Sequence, residues 1–274
     1  RQARIDAEVE AARRIQTKLL PAEVNVPGFE VVACMRPAES VGGDYFDAHA
    51  TSDGSWFFLG DVTGHGLGAG LVTLMAQSTI SSILATRPDV RPRELNYLAN
   101  RVLAANLARL GERRHMTFVA LRRTGPSTFA VSGSHDTMFV HRATTRIIEP
   151  VELAHFPFGL GFMGGLTAES FGEDVLTLDP GDMLFIVSDG VTEAARSGSP
   201  AKGMFGEAAL VEFINEFALR SIAEARDGLL SRLDEFTGGV YHDDVSFVIL
   251  RAALPTAVGT PAFGSGESRT PQRA

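Results

Sequence analysis

Four short acidic segments are the part of the sequence best suited to carry chemistry. They are VGGDYFD at 41–47, GDVTGHG at 60–66, SDGVTE at 188–193 and HDDV at 242–245. Asp61 and Asp189 directly follow apolar runs, and Asp243 precedes one, so these carboxylates are predicted to lie at strand ends beside a hydrophobic interior. Carboxylates gathered at such a rim repel one another and are costly to desolvate, and a divalent cation removes that cost.

A set of aspartates favours one kind of metal. Mg²⁺ and Mn²⁺ prefer carboxylate, carbonyl and water oxygens, whereas zinc sites use cysteine and histidine. Two such ions roughly 4 Å apart can activate a water and hold a phosphoryl group for in-line attack. The alternative is that each aspartate forms a turn or caps a helix, which is the commoner role of an isolated Asp-Gly pair. The metal-site and the turn-or-cap interpretations both stay open, because the sequence alone does not show whether the four segments lie close together in the folded chain.

Four other functional motifs are excluded. Residues 64–69 fit the dinucleotide fingerprint G-x-G-x-x-G/A, but a long helical pattern follows where a second strand ending in an acidic residue is required. Neither a P-loop nor a G-x-S-x-G nucleophile motif is present. Cys34 lacks the arginine of a cysteine phosphatase, because the residue six positions later is Ser40.

The elements that must position the acidic segments follow from hydrophobic patterning. Strands are predicted at 29–35, 55–59, 116–121, 128–131, 138–142, 175–178, 183–187 and 245–250. Helices are predicted at 68–85, 92–109, 207–218 and 222–236. Because the strands come in runs rather than in strict alternation with helices, the pattern favours an α+β fold with helix-covered sheets.

Composition and net charge exclude further classes of protein. The 274 residues are 45% hydrophobic and 21% charged, which is ordinary for a globular protein. The net charge of −8 argues against a non-specific nucleic-acid binder. With Cys34 the single cysteine, no intramolecular disulfide can form, and a cytoplasmic location is expected. We find no secretory signal and no apolar run approaching the ~20 residues of a membrane span.

The ends of the chain differ from its middle. We expect an N-terminal linker or regulatory helix at 1–22, the folded domain at 23–252, and a disordered tail rich in Gly, Pro, Ser and Thr at 253–274. The first unit carries apolar residues at helical spacing, namely Ile5, Val9, Ala12, Ile15 and Leu19. It is either an amphipathic helix packed on its own domain or a signalling or dimerising linker from an upstream sensor. The start at Arg1 instead of Met favours a fragment.

Taken in order, these motifs resemble one family. It is the metal-dependent PPM (type 2C-like) protein serine/threonine phosphatases, in the bacterial SpoIIE-type, RsbU-like branch. The matching stretches are IQTKLLP at 15–21, RPAESVGGDYFD at 36–47, GDVTGHG at 60–66, FPFGLG at 156–161, PGDMLFIVSDGVTEA at 180–194, MFG at 204–206 and HDDVSFVILR at 242–251. Seven stretches in the family's order and spacing make a specific signal over nearly the whole folded domain.

The resemblance implies a fold and a metal centre. The family's fold is a pair of packed antiparallel sheets flanked by helices, with two Mn²⁺ or Mg²⁺ ions at one end of the sandwich. By position, Asp61 matches the carboxylate that bridges the ions, and Val62 would lend its backbone carbonyl. Asp44 matches the acidic ligand of the second ion. Asp189 and Asp243 match the remaining ligands of the first.

Several assignments keep an alternative. Asp243 is preferred to Asp244 because the family's ligand is the first acid of the pair. Asp47 could orient a metal ligand. His65 is a candidate general acid, because an imidazole can donate a proton near neutral pH, and a structural or switch role is its alternative.

The segment at 131–136 departs from the family's usual A-G-H-P, since Ser134 and Asp136 replace its glycine and proline. We interpret the retained His135 as structural. Arg36 either contacts phosphate or forms a surface ion pair.

The implied reaction is hydrolysis of phosphoserine or phosphothreonine by direct attack of a metal-bridging hydroxide. The typical substrate in this branch is a phosphorylated anti-anti-sigma factor with a STAS fold. The alternatives are a catalytically silent regulatory or partner-binding module, and a metallohydrolase that acts on small phosphoesters.

Overall fold

The strands form two five-stranded antiparallel sheets that pack face to face. The computed structural model describes residues 2–19, 26–52, 54–135, 137–151, 153 and 159–254. Its strands are β1 (Phe29–Arg36), β2 (Asp44–Thr51), β3 (Gly54–Val62), β4 (Met116–Arg123), β5 (Thr128–Ser134), β6 (Thr137–His141), β7 (Ile148–Pro150), β8 (Asp174–Thr177), β9 (Met183–Val187) and β10 (Val245–Ala252). Sheet A has the order β1-β10-β9-β6-β7, and sheet B has the order β2-β3-β4-β5-β8.

Helices cover the outer faces of both sheets. The described residues form the helices α1 (Gln2–Leu19), α2 (Gly66–Thr86), α3 (Pro92–Leu110), α4 (Asp189–Thr192), α5 (Gly206–Phe217) and α6 (Ile222–Thr237). Short 3₁₀ turns occupy Ala168–Phe171, Arg196–Gly198 and Pro200–Lys202. Helices α2 and α3 pack on sheet B, and α5 and α6 pack on sheet A. The α+β fold with two packed antiparallel sheets is therefore confirmed.

Alternation along the strands divides the core into three layers. In β3, Phe57 and Leu59 face sheet A, while Trp56 and Phe58 face α2 and α3. The strands are thus buried on both faces, which explains why residues 56–59 read as a continuous apolar run instead of an alternating one. Charged residues near the end of such a strand must lie at the rim of this core.

The predicted strands and long helices are present, but two strands were missed. Strand β7 is only three residues long. Strand β2 has the sequence DYFDAHAT, and its aspartates and histidine lower the intrinsic preference for a strand, so hydrophobic patterning predicts no strand there. Pairing with β3 along its whole length overrides that preference.

Helix α2 is long and strongly apolar. By length and composition alone it could cross a membrane, which contradicts the expectation that no apolar run comes near that length. Ala69, Val72, Ala76 and Ile80 are buried beside sheet B, which is the packing of a core helix in a globular domain. No other helix in the described ranges passes the same test.

The N-terminal segment forms the predicted helix, α1, up to Leu19. Residues 20–22 of the predicted N-terminal unit and residues 255–274 of the predicted tail lie outside the described residues. The three-part division of the chain stays a prediction.

Candidate metal centre

Asp44 and Asp61 begin a polar row at one end of sheet B. They are direct partners in the β2–β3 ladder, and Asp61 is in turn the partner of Thr117 in β4. Directly opposite residues of antiparallel strands point to the same face, here the face that carries Leu59 and packs on sheet A. Asp44 is 1% exposed. A buried carboxylate and a partly buried one therefore lie side by side at the rim of the core.

Burial raises the pKa of Asp44 well above its usual value, and the charge of Asp61 raises it further. A hydrogen bond from Ser188 opposes the shift, because its Oγ lies 3.2 Å from Asp44 Oδ2 and donates to it. Ser188 is itself held by the backbone N–H of Ser246, at 3.0 Å. An ionised Asp44 is thus costly here, and a cation beside it would remove the cost.

Asp189 follows Ser188 directly and begins α4 after the last residue of β9. The turn that carries it lies against the loop before β10, because a Cβ at Gly190 would overlap the carbonyl oxygen of Asp244. Glycine at 190 permits this close approach. The structure therefore places Asp189 beside the turn that holds Asp243 and Asp244.

Those two neighbouring aspartates have different surroundings. Asp244 is buried, and its carboxylate accepts backbone N–H groups from Ala38 at 2.7 Å, Gly43 at 2.6 Å and Asp44 at 3.4 Å. Burial raises the pKa of Asp244, and these hydrogen bonds oppose the rise. Asp243 is exposed, and its Oδ1 accepts the N–H of Asp244 at 2.8 Å. This contrast favours Asp243 as the member of the pair that is available to a metal.

The backbone just before Asp44 is held by side chains from distant elements. Gln16 in α1 is 5% exposed; its Nε2 donates to the carbonyl of Gly42 at 2.8 Å, and its Oε1 accepts the N–H of Gly42 at 3.1 Å. Thr73 in α2 donates to the carbonyl of Gly43 at 2.6 Å. The position of Asp44 therefore depends on α1 and α2 as well as on its own strand.

The carbonyl of Val62 belongs to the same region. A Cβ added at Gly43 would lie 2.9 Å from this oxygen, so the segment that leads into Asp44 passes close to it. The N–H of Val62 donates to the carbonyl of Gly43 at 3.3 Å. The predicted carbonyl ligand and the predicted Asp44 ligand thus come from adjoining stretches of backbone.

The donor set fits a hard divalent cation in its chemistry, because every predicted ligand is a carboxylate or carbonyl oxygen. The structure brings Asp44 to Asp61, and it brings the Asp189 turn to the turn at 243–244. Within the described ranges, no three acidic, histidine or cysteine side chains stand close enough to hold a metal as they are. The two halves of the set are linked through Ser188, which contacts Asp44.

His65 lies on the surface at the N-terminus of α2. Its Nδ1 is 2.7 Å from Oε1 of Glu39, and their side chains are 62% and 52% exposed. Sequence reasoning did not single out Glu39. The pairing gives the imidazole a carboxylate that can orient it.

The structure also decides the predictions made for Arg36 and Asp47. Arg36 forms an ion pair with Asp234, at 2.6 Å, and stacks on Tyr241, so the surface ion pair is the correct alternative. Asp47 bonds the hydroxyl of Tyr45 and lies three positions from Asp44 on β2, hence on the opposite face. The expectation that Asp47 orients a metal ligand is wrong.

Several residues that shape the site were missed as functional. Gln16 and Ser188 lie inside two of the stretches that match the family. Nothing else in the sequence indicated that they shape the site. Thr73 and Thr117 lie in a helix and a strand that read as ordinary core elements, so nothing in the sequence marked them.

The two-sheet sandwich flanked by helices is the fold of PP2C-type phosphatase domains. The family model described as Stage II sporulation protein E (SpoIIE) matches residues 51–253, which is most of the chain. The chain belongs to the SpoIIE family, whose PP2C-like domains are metal-dependent protein serine/threonine phosphatases.

Individual relatives are distant but cover most of the chain. Protein IcfG of Synechocystis is 26% identical over 271 residues, which cover 88% of this chain and 41% of IcfG. The phosphoserine phosphatase RsbU of Bacillus subtilis is 24% identical over 252 residues, covering 91% of this chain and 71% of RsbU. The SiaA-PP2C domain of Pseudomonas aeruginosa has the same fold, with a TM-score of 0.76, 18% identity, and coverage of 91% and 98%.

Proposed function

We propose that this chain hydrolyses phosphoserine or phosphothreonine on a bacterial signalling protein, using two Mn²⁺ or Mg²⁺ ions. The observation that carries the proposal is the buried Asp44 opposite Asp61 at the rim of a SpoIIE-type sandwich. The environment raises the pKa of Asp44, and a buried carboxylate with a strongly shifted pKa is typical of a functional site.

The metal ligands would be the five groups assigned by position: the carboxylates of Asp44, Asp61, Asp189 and Asp243 and the carbonyl of Val62. Bound there, the ions would lower the pKa of a water and neutralise charge on the phosphoryl group. The protein's own part is to hold the ligands in place. Ser188 orients the carboxylate of Asp44, and Asp244 fixes the backbone that precedes it.

His65 is proposed as the acid that protonates the leaving serine oxygen, with Glu39 holding the ring. The test compares His65→Gln with the unaltered chain on two substrates. p-Nitrophenol leaves without help, whereas a serine alkoxide needs a proton. A general acid predicts a loss of at least about tenfold on a phosphoserine peptide and a much smaller loss on p-nitrophenyl phosphate. Equal losses on both substrates would contradict the role.

The protein substrate is proposed to be an anti-anti-sigma factor of the STAS type. The support is similarity to RsbU, a phosphoserine phosphatase, in a family linked to sigma-factor regulation. A cytoplasmic location follows from that substrate, and no nucleic acid takes part.

The N-terminal helix is proposed to form a homodimer contact and to receive a signal from an upstream sensor. Ile15 and Leu19 are 53% and 48% exposed, while Gln16 between them is buried against the domain. Helix α1 thus packs on its own domain and still presents apolar residues outward. The division at 1–22, 23–252 and 253–274 is part of this proposal.

The deciding experiment measures hydrolysis of p-nitrophenyl phosphate with and without Mn²⁺, beside Asp61→Asn. Mn²⁺-dependent turnover that is lost in the variant supports the proposal, and equal turnover in both proteins overturns the metal assignment. The second candidate is a catalytically silent regulatory module. It predicts no turnover in either protein and signalling that survives Asp61→Asn, and the presence of all four predicted carboxylate ligands argues against it.

A further inference from the structure

The polar row at the rim of sheet B continues beyond the acidic pair. Thr117 is the ladder partner of Asp61, and its Oγ1 accepts the backbone N–H of Asp61 at 3.1 Å. Ser134 pairs with Phe118, so the same register carries His135, just after β5, to the position opposite Thr117. Nδ1 of His135 is 3.0 Å from Oγ1 of Thr117. A continuous hydrogen-bonded path therefore runs from the backbone of Asp61 to His135.

Oγ1 of Thr117 accepts the backbone N–H of Asp61 and keeps one hydroxyl proton to donate. In the direction proposed here that proton goes to Nδ1 of His135, and the ring is then neutral with its own proton on Nε2. Burial favours the neutral ring, since it lowers the pKa of His135 to about 4.

His135 also reaches the other sheet. The backbone of Val187, the last residue of β9, is close enough to oppose the fall in the pKa of His135. Val187 is followed by Ser188, which contacts Asp44, and then by Asp189. His135 is 8% exposed and lies between Thr117 of β4, the neighbour of the strand that carries Asp61, and Val187 of β9, the strand that leads to Asp189.

We propose that Thr117 and His135 are positioning residues for the metal centre. His135 orients the hydroxyl of Thr117, Thr117 fixes the backbone at Asp61, and the ring sets the spacing of the two sheets where Asp61 and Asp189 must approach the same pair of ions. This rests on the proposed function, because it takes Asp61 and Asp189 to be metal ligands. Neither Thr117 nor His135 is proposed to touch metal or substrate.

The first test is Mn²⁺ binding measured by calorimetry, which does not depend on turnover. Thr117→Val keeps the shape of the side chain and removes the hydroxyl, and we expect the dissociation constant to rise by about tenfold or more, as is usual when a partner of a metal ligand is lost. Thr117→Ser restores the hydroxyl and is expected to stay within about threefold of the unaltered chain. KM for p-nitrophenyl phosphate at saturating Mn²⁺ is expected to stay unchanged in both.

Substitutions at His135 test the other end of the hydrogen-bonded path. His135→Leu removes the acceptor, whereas His135→Asn offers Oδ1 near the place of Nδ1, so only the first is expected to weaken Mn²⁺ binding. Ser132→Ala is the matched control. Ser132 is 2% exposed on β5 and bonds Asn96 on the helix side of sheet B, away from the polar row. It is expected to bind Mn²⁺ like the unaltered chain.

The possible results separate this inference from the proposed function. If Asp61→Asn abolishes Mn²⁺ binding while Thr117→Val and His135→Leu leave it unchanged, the positioning role is wrong and the metal centre stands. If Asp61→Asn also leaves binding unchanged, the metal centre itself is wrong.

A measurement on the unaltered chain covers variants that do not fold. The imidazole ¹⁵N shifts of His135 are expected to report a neutral ring with the proton on Nε2. A proton on Nδ1 would overturn the proposed direction of the path.

Discussion

Asp44 and Asp61 lie directly opposite each other in the β2–β3 ladder, and the charge of Asp61 adds to the burial that raises the pKa of Asp44. The folded chain therefore holds a proton on Asp44 more tightly than the unfolded chain does. The associated stability is fully present below about pH 4, near the unfolded value, and is lost as the pH rises through the folded pKa of Asp44. The metal-free site thus opposes folding at neutral pH.

Asp44→Asn should stabilise the metal-free chain at pH 7 by about 0.5–2 kcal/mol, the usual gain when a costly functional group is removed. The gain should shrink toward pH 4 and be accompanied by loss of stabilisation by Mn²⁺. Urea unfolding at several pH values, with and without Mn²⁺, measures both effects. Asp227→Asn, on the surface of α6, is the control and should give no gain. A less stable Asp44→Asn protein at pH 7 would contradict the electrostatic argument.

Asp243 and Asp244 should separate metal binding from stability. Asp244→Ala leaves three backbone N–H groups without their acceptor and should cost at least about 2 kcal/mol of the free energy of unfolding. Asp243→Ala should cost about 0.5 kcal/mol or less, because the side chain is exposed, yet abolish Mn²⁺-dependent turnover. Denaturant unfolding and the Mn²⁺ dependence of activity test the pair. The reverse pattern would make Asp244 the ligand.

Gly190→Ala should destabilise the chain by about 1–3 kcal/mol and impair turnover, because the added methyl group overlaps the carbonyl of Asp244 and must push the Asp189 turn away. Gly165→Ala is the matched control, since no atom lies within 4 Å of its added Cβ. Thermal unfolding and Mn²⁺ titration of both variants test the prediction. Unfolding temperatures that fall equally would show that the 189–190 turn is not tightly packed.

Gln16→Glu should lower the free energy of unfolding by about 1–3 kcal/mol, because a carboxylate cannot donate to the carbonyl of Gly42. Since Gly42 precedes the backbone that places Asp44, the Mn²⁺ concentration for half-maximal activity should also rise. Thr17→Ala removes an exposed hydroxyl from the neighbouring position of α1 and serves as the control. Unchanged Mn²⁺ dependence in Gln16→Glu would mean that α1 does not influence the site.

Much of the architecture could be predicted from local patterns. Apolar runs bounded by glycine and aspartate located most of the strands, and 3.6-residue periodicity located the long helices. These signals work because a buried strand or helix must carry apolar residues at its own repeat. The signal failed at β2, where Asp44 and Asp47 interrupt the pattern and where pairing with β3, a long-range interaction, decides the structure.

The seven matching stretches were also enough to predict the family, since seven stretches in one family's order and spacing are a specific signal. The resemblance to the family favoured Asp243 over Asp244, but the residues themselves gave no physical reason for that choice, because the two adjacent aspartates differ only in what surrounds them. The structure buries Asp244 beneath three backbone amides and leaves Asp243 exposed.

The sequence by itself therefore determined the types of residue at the site, the strands that meet there except β2, and the family. Only the tertiary structure decided which side chains meet. Gln16 contacts Gly42, and Thr117 links Asp61 to His135, although long stretches of chain separate these residues. Such contacts arise from strand register and helix docking, and both depend on how the whole core packs. Local hydrophobic periodicity in the sequence therefore does not predict these contacts.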